Sequence, residues 1–402
     1  MSRKPLLSSA VIVLVVGFLV LFIGGGARFA IGLTLKSVVE DFGWGRTQLG
    51  VAVALFQFVS AICMYIAGTM ADRTSPRLVL GGGLVIAGIG IGLMSLMAAP
   101  WHALLLYGVV FAIGNGIASL IPVSVMVTRS FPQRIGLANA VVMSGMSVGQ
   151  LVMIAALAAV LVAIGWRSVF AWLGIVHLLP LPLLLFAIPA KEKAGARHAV
   201  QPLHGLAVRE TVRTRQFWLL LGVYALCGFD DFFVTTHLVA LAQDRGLDPF
   251  IAGNLLALMG LAALLGVIAA GAWSDRSGPA WPAAASFAAR IAVFALVLVD
   301  QSPTSVTIFA LMFGVTFMVT APLTVPFVAE SFGMRNLGGL TGLITMVHHI
   351  CGGIGAYLGA AVFDATGGYD RAFAVMMASS IVALALALCL NRPPRLRFVK
   401  PA

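Results

Sequence analysis

Two adjacent carboxylates, Asp230 and Asp231, stand halfway along an apolar stretch running from about residue 216 to residue 242. A helix of that length crosses a bilayer, since ~20 residues rising ~1.5 Å each cover a hydrocarbon core ~30 Å thick. At that depth a charged Asp costs roughly 2.5–3.5 kcal/mol on insertion scales. Acids tolerated there read as parts of a pathway, neutralised by a cation or by a bound proton. Asp231 shares a helical face with Tyr224, Gly228, Thr235 and Leu238, and Asp230 shares one with His237. The pattern leaves open which acid faces the pathway. Arg28 lies inside another apolar stretch. Its planar, two-pronged donor suits a substrate carboxylate. His237 is a candidate proton relay, alongside Asp230 and Asp231. His348 and His349 are neighbours about 100° apart on a helix, so at most one faces a cavity and the two do not share a metal ion. Gln57, Asn115 and Gln150 are uncharged polar residues at similar depth, suited to substrate or to interhelical hydrogen bonds. Arg290, near the middle of its own stretch, reads as structural, pairing with a buried carbonyl or an acid or snorkelling.

These residues need membrane helices to position them. Of 402 residues, 60% are apolar and 10% charged, against about 25% charged in a soluble domain. Twelve apolar spans can be drawn, roughly 10–36, 46–69, 77–98, 101–128, 134–163, 166–188, 216–242, 248–273, 279–299, 303–330, 335–363 and 369–390. The expected fold is an all-α membrane protein: an N-terminal six-helix bundle over 1–188, a basic linker over 189–215 and a C-terminal six-helix bundle over 216–402. With the N-terminus inside, eighteen Lys and Arg fall on the inner side and five on the outer. That bias places both termini in the cytoplasm and accounts for the +11 net charge without nucleic acid. Cys63, Cys227, Cys351 and Cys389 all lie in apolar stretches and read as small packing residues. The first stretch has no cleavage pattern at its end and reads as an uncleaved span. Thr316, Thr320, Pro322 and Pro326 suggest a kinked tenth span.

The halves repeat at a constant offset of 203 residues. Asp41 recurs as Asp244, Gly43 as Gly246 and Gly50 as Gly253, while Gly68, Asp72 and Arg73 recur as Gly271, Asp275 and Arg276. The same offset carries Arg28 onto Asp231, a cation and an anion that could meet across the axis. Six spans per repeat give parallel halves, related by an axis along the membrane normal.

The Gly68–Arg77 loop resembles the signature of the major facilitator superfamily, departing from it at Ser75 and Pro76; the second copy runs from Gly271 to Gly278. The resemblance spans nearly the whole chain. It implies a cytoplasmic gate built from Asp72, Arg73, Arg129, Asp275, Arg276 and Arg335. The segments 27–32, Phe42-Gly-Trp44, 129–136 and 234–238 resemble the monocarboxylate and oxalate–formate branch. That branch commonly carries an Arg in span eight, and 254–273 contains none. The drug:proton antiporter branch usually carries prolines in span five, and 138–165 contains none.

Gly145-Met-Ser147-Val-Gly149 matches a hydrolase elbow, but it lies in an apolar helix with no triad beside it. No ATP-binding motif occurs, so an ion gradient is the expected energy source. The expectation is therefore a secondary transporter, not an enzyme, that needs no cofactor or metal. It takes up a small organic solute, a carboxylate, with protons, through Arg28, Asn115, Asp231, His348 and Gln57. Efflux of a hydrophobic or amphipathic compound is the alternative, and a non-transporting sensor a further one. The expected partners are the small-molecule substrate, protons and membrane lipid, with no nucleic acid. The expected state is a monomer in a bacterial inner membrane.

Overall fold

The structure, a computed structural model, describes residues 9–131, 135–187, 205–333 and 336–390. The first half comprises α1 (Ser9–Ala27), α2 (Ala30–Phe42), α3 (Arg46–Arg73), α4 (Pro76–Leu93), α5 (Pro100–Ala103), α6 (Ala112–Ile117), α7 (Leu120–Ser130), α8 (Ile135–Leu178) and α9 (Pro180–Ala187). A π-helical stretch, Leu104–Phe111, joins α5 to α6. After the single turn α10 (Val208–Thr211), the second half comprises α11 (Arg215–Asp244), α12 (Pro249–Ser277), α13 (Ala280–Val299), α14 (Pro303–Phe317), α15 (Thr320–Phe332), α16 (Leu337–Thr366) and α17 (Asp370–Leu390). Most of the expected linker, 189–204, lies outside the described residues.

Eleven helical stretches are long and apolar enough to cross a membrane. One of them, Val141–Leu185, has 45 residues, which at ~1.5 Å each would extend about 67 Å, over twice the hydrocarbon thickness. Gly165, at φ 72°, divides it. Residues with a Cβ avoid that conformation, so the glycine marks the turn between two spans. Twelve crossings result. The first is longer than its apolar run suggested, continuing to Phe42 after a break at Arg28 and Phe29.

In hydrocarbon, helices gain little from burying apolar surface and associate through close packing instead. Here α1 packs on α8, and α11 packs on α16. These pairs are equivalent under the repeat, and both seams are lined with glycine. A Cβ on Gly149 would collide with the Phe22 backbone, and one on Gly228 with the backbone of His348. Between the halves, α3 packs on α16 and α8 packs on α12.

Gly228→Ala therefore forces the central seam apart. It should cost about 1–3 kcal/mol by overpacking. Thermal unfolding in detergent tests this, with Gly271→Ala as the control, because a Cβ there meets nothing within 4 Å. Equal melting temperatures would refute the seam's tightness.

Candidate functional site

The acids of α11 are met by Arg290 from α13. Its Nη2 lies 2.6 Å from Asp231 Oδ1, and its Nη1 lies 3.9 Å from Asp230 Oδ2. Neither Arg290 nor Asp230 has exposed side-chain surface. The break between α14 and α15 supplies further acceptors. Arg290 Nη2 donates to the Thr316 carbonyl at 3.0 Å and Nε donates to Thr316 Oγ1 at 3.1 Å. The kinked span expected from the Thr and Pro residues thus brings the Thr316 carbonyl, which also accepts from the Val319 amide at 3.3 Å, within reach of a buried guanidinium. Asp230 also accepts from the Ser379 and Ser380 hydroxyls of α17.

Asp231 has a different surround. Its Oδ2 accepts from the Cys227 thiol at 3.4 Å and faces His348 Nε2 at 3.8 Å. His348 Nδ1 donates to the Tyr224 carbonyl at 3.2 Å, which leaves Nε2 directed at the acid. His348 is also 17% exposed, so of these groups it gives the cluster a route to water. The ligand atoms of Cys227, Asp231 and His348 lie within 4.8 Å of one another, close enough for one metal ion. Arg290 already supplies a cation to Asp231, so a resident metal is not required there.

The second feature is the break in span one. Arg28 and Phe29 form a turn between α1 and α2. No side chain caps the start of α2. The Arg28 carbonyl accepts from the Tyr107 hydroxyl at 2.9 Å, and Tyr107 belongs to the π-helical stretch. The Arg28 guanidinium rests 4.6 Å over the Phe29 ring, and its Nε is buried without a hydrogen-bond partner. It makes no ion pair within 4.0 Å with an acid among the described residues. Arg28, Phe29 and Gly32 line a pocket between the halves with Gln57 of α3, Tyr107, and Phe232 and Thr236 of α11. Gln57 is 1% exposed, and its amide nitrogen has no partner.

The third feature is a latch between the halves at one end of the bundle. Asp364 of α16 accepts from the backbone amides of Arg46 and Thr47 at 2.8 and 2.7 Å. It thereby caps the N-terminus of α3, whose own flanking residue Gly45 has no side chain to do so. Arg46 Nη2 and Lys36 Nζ reach Asp244 at 2.7 and 3.2 Å. Arg46 Nη1 donates to the Tyr369 hydroxyl at 2.6 Å. Tyr369 donates to His237 Nδ1 at 3.0 Å, and His237 Nε2 donates to the Ala356 carbonyl at 2.8 Å. Burial holds the Tyr369 phenol above its ordinary pKa against the pull of Arg46, so the hydroxyl keeps its proton.

The candidate residues thus separate into three places. Asp230, Asp231 and His348 gather round Arg290, which sequence reasoning assigned a structural role and did not join to either acid in particular. Its signal was a charge in the middle of a span. Arg28 and Asp231, equivalent under the repeat, are not an ion pair; Arg290 takes the acid. His237 belongs to the latch, with both ring nitrogens engaged. Asn115 places its side-chain oxygen beside Gly24, one turn before Arg28. Gln150 donates to the Leu256 carbonyl at 3.1 Å, a helix-to-helix bond. Of the expected gate residues, Asp275 and Arg276 are exposed at the end of α12. Asp72, Arg73 and Arg129 lie on α3 and α7, but their side chains are outside the described part of the structure, and Arg335 lies outside the described residues altogether.

Two six-helix halves enclosing a charged pocket define a polytopic membrane carrier. The family model of the Major Facilitator Superfamily matches residues 17–238 and 220–402. The chain belongs to that superfamily and is a multi-pass transporter of small solutes. It is 27% identical over 372 residues to the uncharacterized MFS-type transporter YcxA of Bacillus subtilis (strain 168), covering 85% of this chain and 87% of that one. It is 26% identical to monocarboxylate transporter 13 of Rattus norvegicus, over 81% of this chain and 74% of that one. It is also 26% identical to the 3-(3-hydroxy-phenyl)propionate transporter of Escherichia coli (strain K12), over 69% of each chain. Among solved structures, a bacterial homolog to the human lysosomal transporter Spinster shares the fold, with a TM-score of 0.77 at 15% identity over 95% of this chain and 97% of that one.

Arg290→Ala would strand two buried carboxylates, at about 3–5 kcal/mol. Adding Asp231→Asn should recover part of that loss, which thermal unfolding of the single and double variants reads directly. No recovery would show that the acid is not the partner that matters. Asp364→Ala should uncap α3 and cost the latched state about 0.5–2 kcal/mol, roughly a two- to thirtyfold shift toward opening. Spin-label distances across that end would lengthen; unchanged distances would exclude a latch.

Proposed function

We propose that the chain is a proton-coupled uptake carrier for a small organic carboxylate. The observation that carries this reading is Arg28, a guanidinium in the pocket between the halves, 4.6 Å over the Phe29 ring, with a buried Nε and no acid as partner. A desolvated cation of this kind favours an anion. Relatives named for a monocarboxylate and for an aryl propionate support the class.

Charge balance supplies the coupling. Arg28 and Arg290 carry two positive charges, and Asp230 and Asp231 carry two negative ones, so the empty site is neutral. An anion bound at Arg28 leaves one excess negative charge in an apolar bundle, which costs far more than in water. A proton on Asp231, delivered through the slightly exposed His348, restores neutrality. A proton without the anion leaves the opposite excess. Anion and proton therefore bind together, one to one, and only the neutral states change conformation easily. Asp230 is the weaker candidate, because two serine hydroxyls already satisfy it and its side chain has no exposed surface.

The distribution of Lys and Arg favours both termini in the cytoplasm, and the bacterial relatives favour a bacterial inner membrane. On that orientation the latch lies outside, and the carrier stands closed to the exterior. The polar linker and the loops bearing Asp72 and Asp275 then lie at the cytoplasmic end, where gating by those residues remains part of the proposal. A second reading, efflux of an amphipathic compound, draws on the aromatic lining of the same pocket.

Proteoliposomes loaded with a pH dye test both readings. Adding the transported carboxylate outside should acidify the interior, faster at lower external pH. Arg28→Gln should abolish binding and acidification, whereas Asp231→Asn should keep carboxylate exchange but lose acidification. Uptake by the Arg28 variant at the native rate would remove the anchor. An unchanged pH dependence in the Asp231 variant would move the proton elsewhere.

A further inference from the structure

The pocket around Arg28 specifies more than a carboxylate. A short aliphatic acid needs a cation and little else, yet four aromatic rings, Phe56 of α3 among them, converge here. Phe29 lies under the guanidinium, Tyr107 comes from the π-helical stretch, and Phe232 comes from α11. Phe56 backs Tyr107, with ring centroids 4.9 Å apart. Such rings favour a flat apolar body through edge and offset contacts, beyond simple area burial. The break in span one places the start of α2, which no side chain caps, beside Arg28. A 13-residue helix carries partial positive charge at that end, which reinforces the guanidinium.

Gln57 is the second, independent observation. It lines the same pocket, is 1% exposed, and its amide nitrogen has no acceptor. A buried donor without a partner is costly, and a ligand that supplies an acceptor recovers that cost. Gln150, at similar depth, shows the ordinary solution, an interhelical bond to the Leu256 carbonyl. Gln57 lacks one.

We propose that the substrate is an aromatic monocarboxylate bearing a second hydrogen-bond acceptor on its ring, and that Gln57 is the residue that selects for that group. This rests on the carboxylate reading above. As the halves part and this closed pocket widens, the carboxylate takes the helix break against Arg28, the ring lies among Phe29, Tyr107 and Phe232, and the ring hydroxyl accepts from Gln57.

Binding to the purified full-length protein in nanodiscs tests the assignment, with calorimetry on four probes: propionate, 3-cyclohexylpropionate, 3-phenylpropionate and ring-hydroxylated 3-phenylpropionates. The hydroxylated acids should bind tightest, 3-phenylpropionate about tenfold weaker, and propionate weakest. Gln57→Leu should abolish the tenfold preference for the hydroxyl and leave 3-phenylpropionate within about threefold of its native affinity. Should that variant not fold, Gln57→Met and the native ranking of the four probes decide instead. Equal binding of propionate and 3-phenylpropionate would overturn the aromatic assignment while leaving the carboxylate anchor intact. Equal weakening of hydroxylated and plain aryl acids in Gln57→Leu would make Gln57 a packing residue. Binding by none of the four would overturn the anchor itself.

Discussion

The contact between Arg290 and the acid pair of α11 is the interaction on which the site depends. Two adjacent carboxylates in an apolar bundle are untenable without a cation, and a guanidinium with 0% exposed side-chain surface is equally untenable without acceptors. Each makes the other possible. The contact also fixes helices in place. Arg290 ties α13 to α11 and to the break between α14 and α15, while Asp230 ties α11 to the serines of α17. Because the acids are answered from within their own half, Arg28 in the other half makes no ion pair with an acid among the described residues.

The two halves descend along the chain as copies, but their equivalent residues do different work. Asp41 accepts from Arg167 at 2.6 Å and from Trp166 at 3.3 Å, entirely within its own half. Asp244, its counterpart, reaches across to Lys36 and Arg46. Both acids sit at the end of a helix, and the difference lies in what the facing half presents. Arg28 and Asp231 diverge in the same way.

The latch and the pocket are mechanically connected through α11 and α16. His237, in the latch, and Thr235 and Thr236, at the pocket, lie within one turn of α11. Gly32, at the helix break, packs against the carbonyls of Thr235 and Thr236. The latch end of α11 is therefore joined to the helix break at Arg28 through backbone contacts rather than through long side chains. The glycine seams of α1 with α8 and of α11 with α16 keep each half rigid enough to move as a body.

The sequence by itself determined the membrane class, the twelve crossings, the repeat and the superfamily. All of these follow from long-range regularities of hydropathy, charge and spacing, which survive without knowledge of any contact. It also marked Arg28, Asp230, Asp231, His348 and Gln57, because polar groups at bilayer depth are rare enough to stand out. Pairing was beyond its reach. The constant offset joined Arg28 to Asp231, whereas side-chain reach and helix rotation gave Asp231 to Arg290, from a span that hydropathy marks only as one more crossing. The same limit hid the break at Arg28, which depends on the Tyr107 hydroxyl answering its carbonyl, and the cap that Asp364 places on α3 from 318 residues away. Only the tertiary structure decided these, because each is a hydrogen bond between distant segments whose geometry is set by how the helices pack.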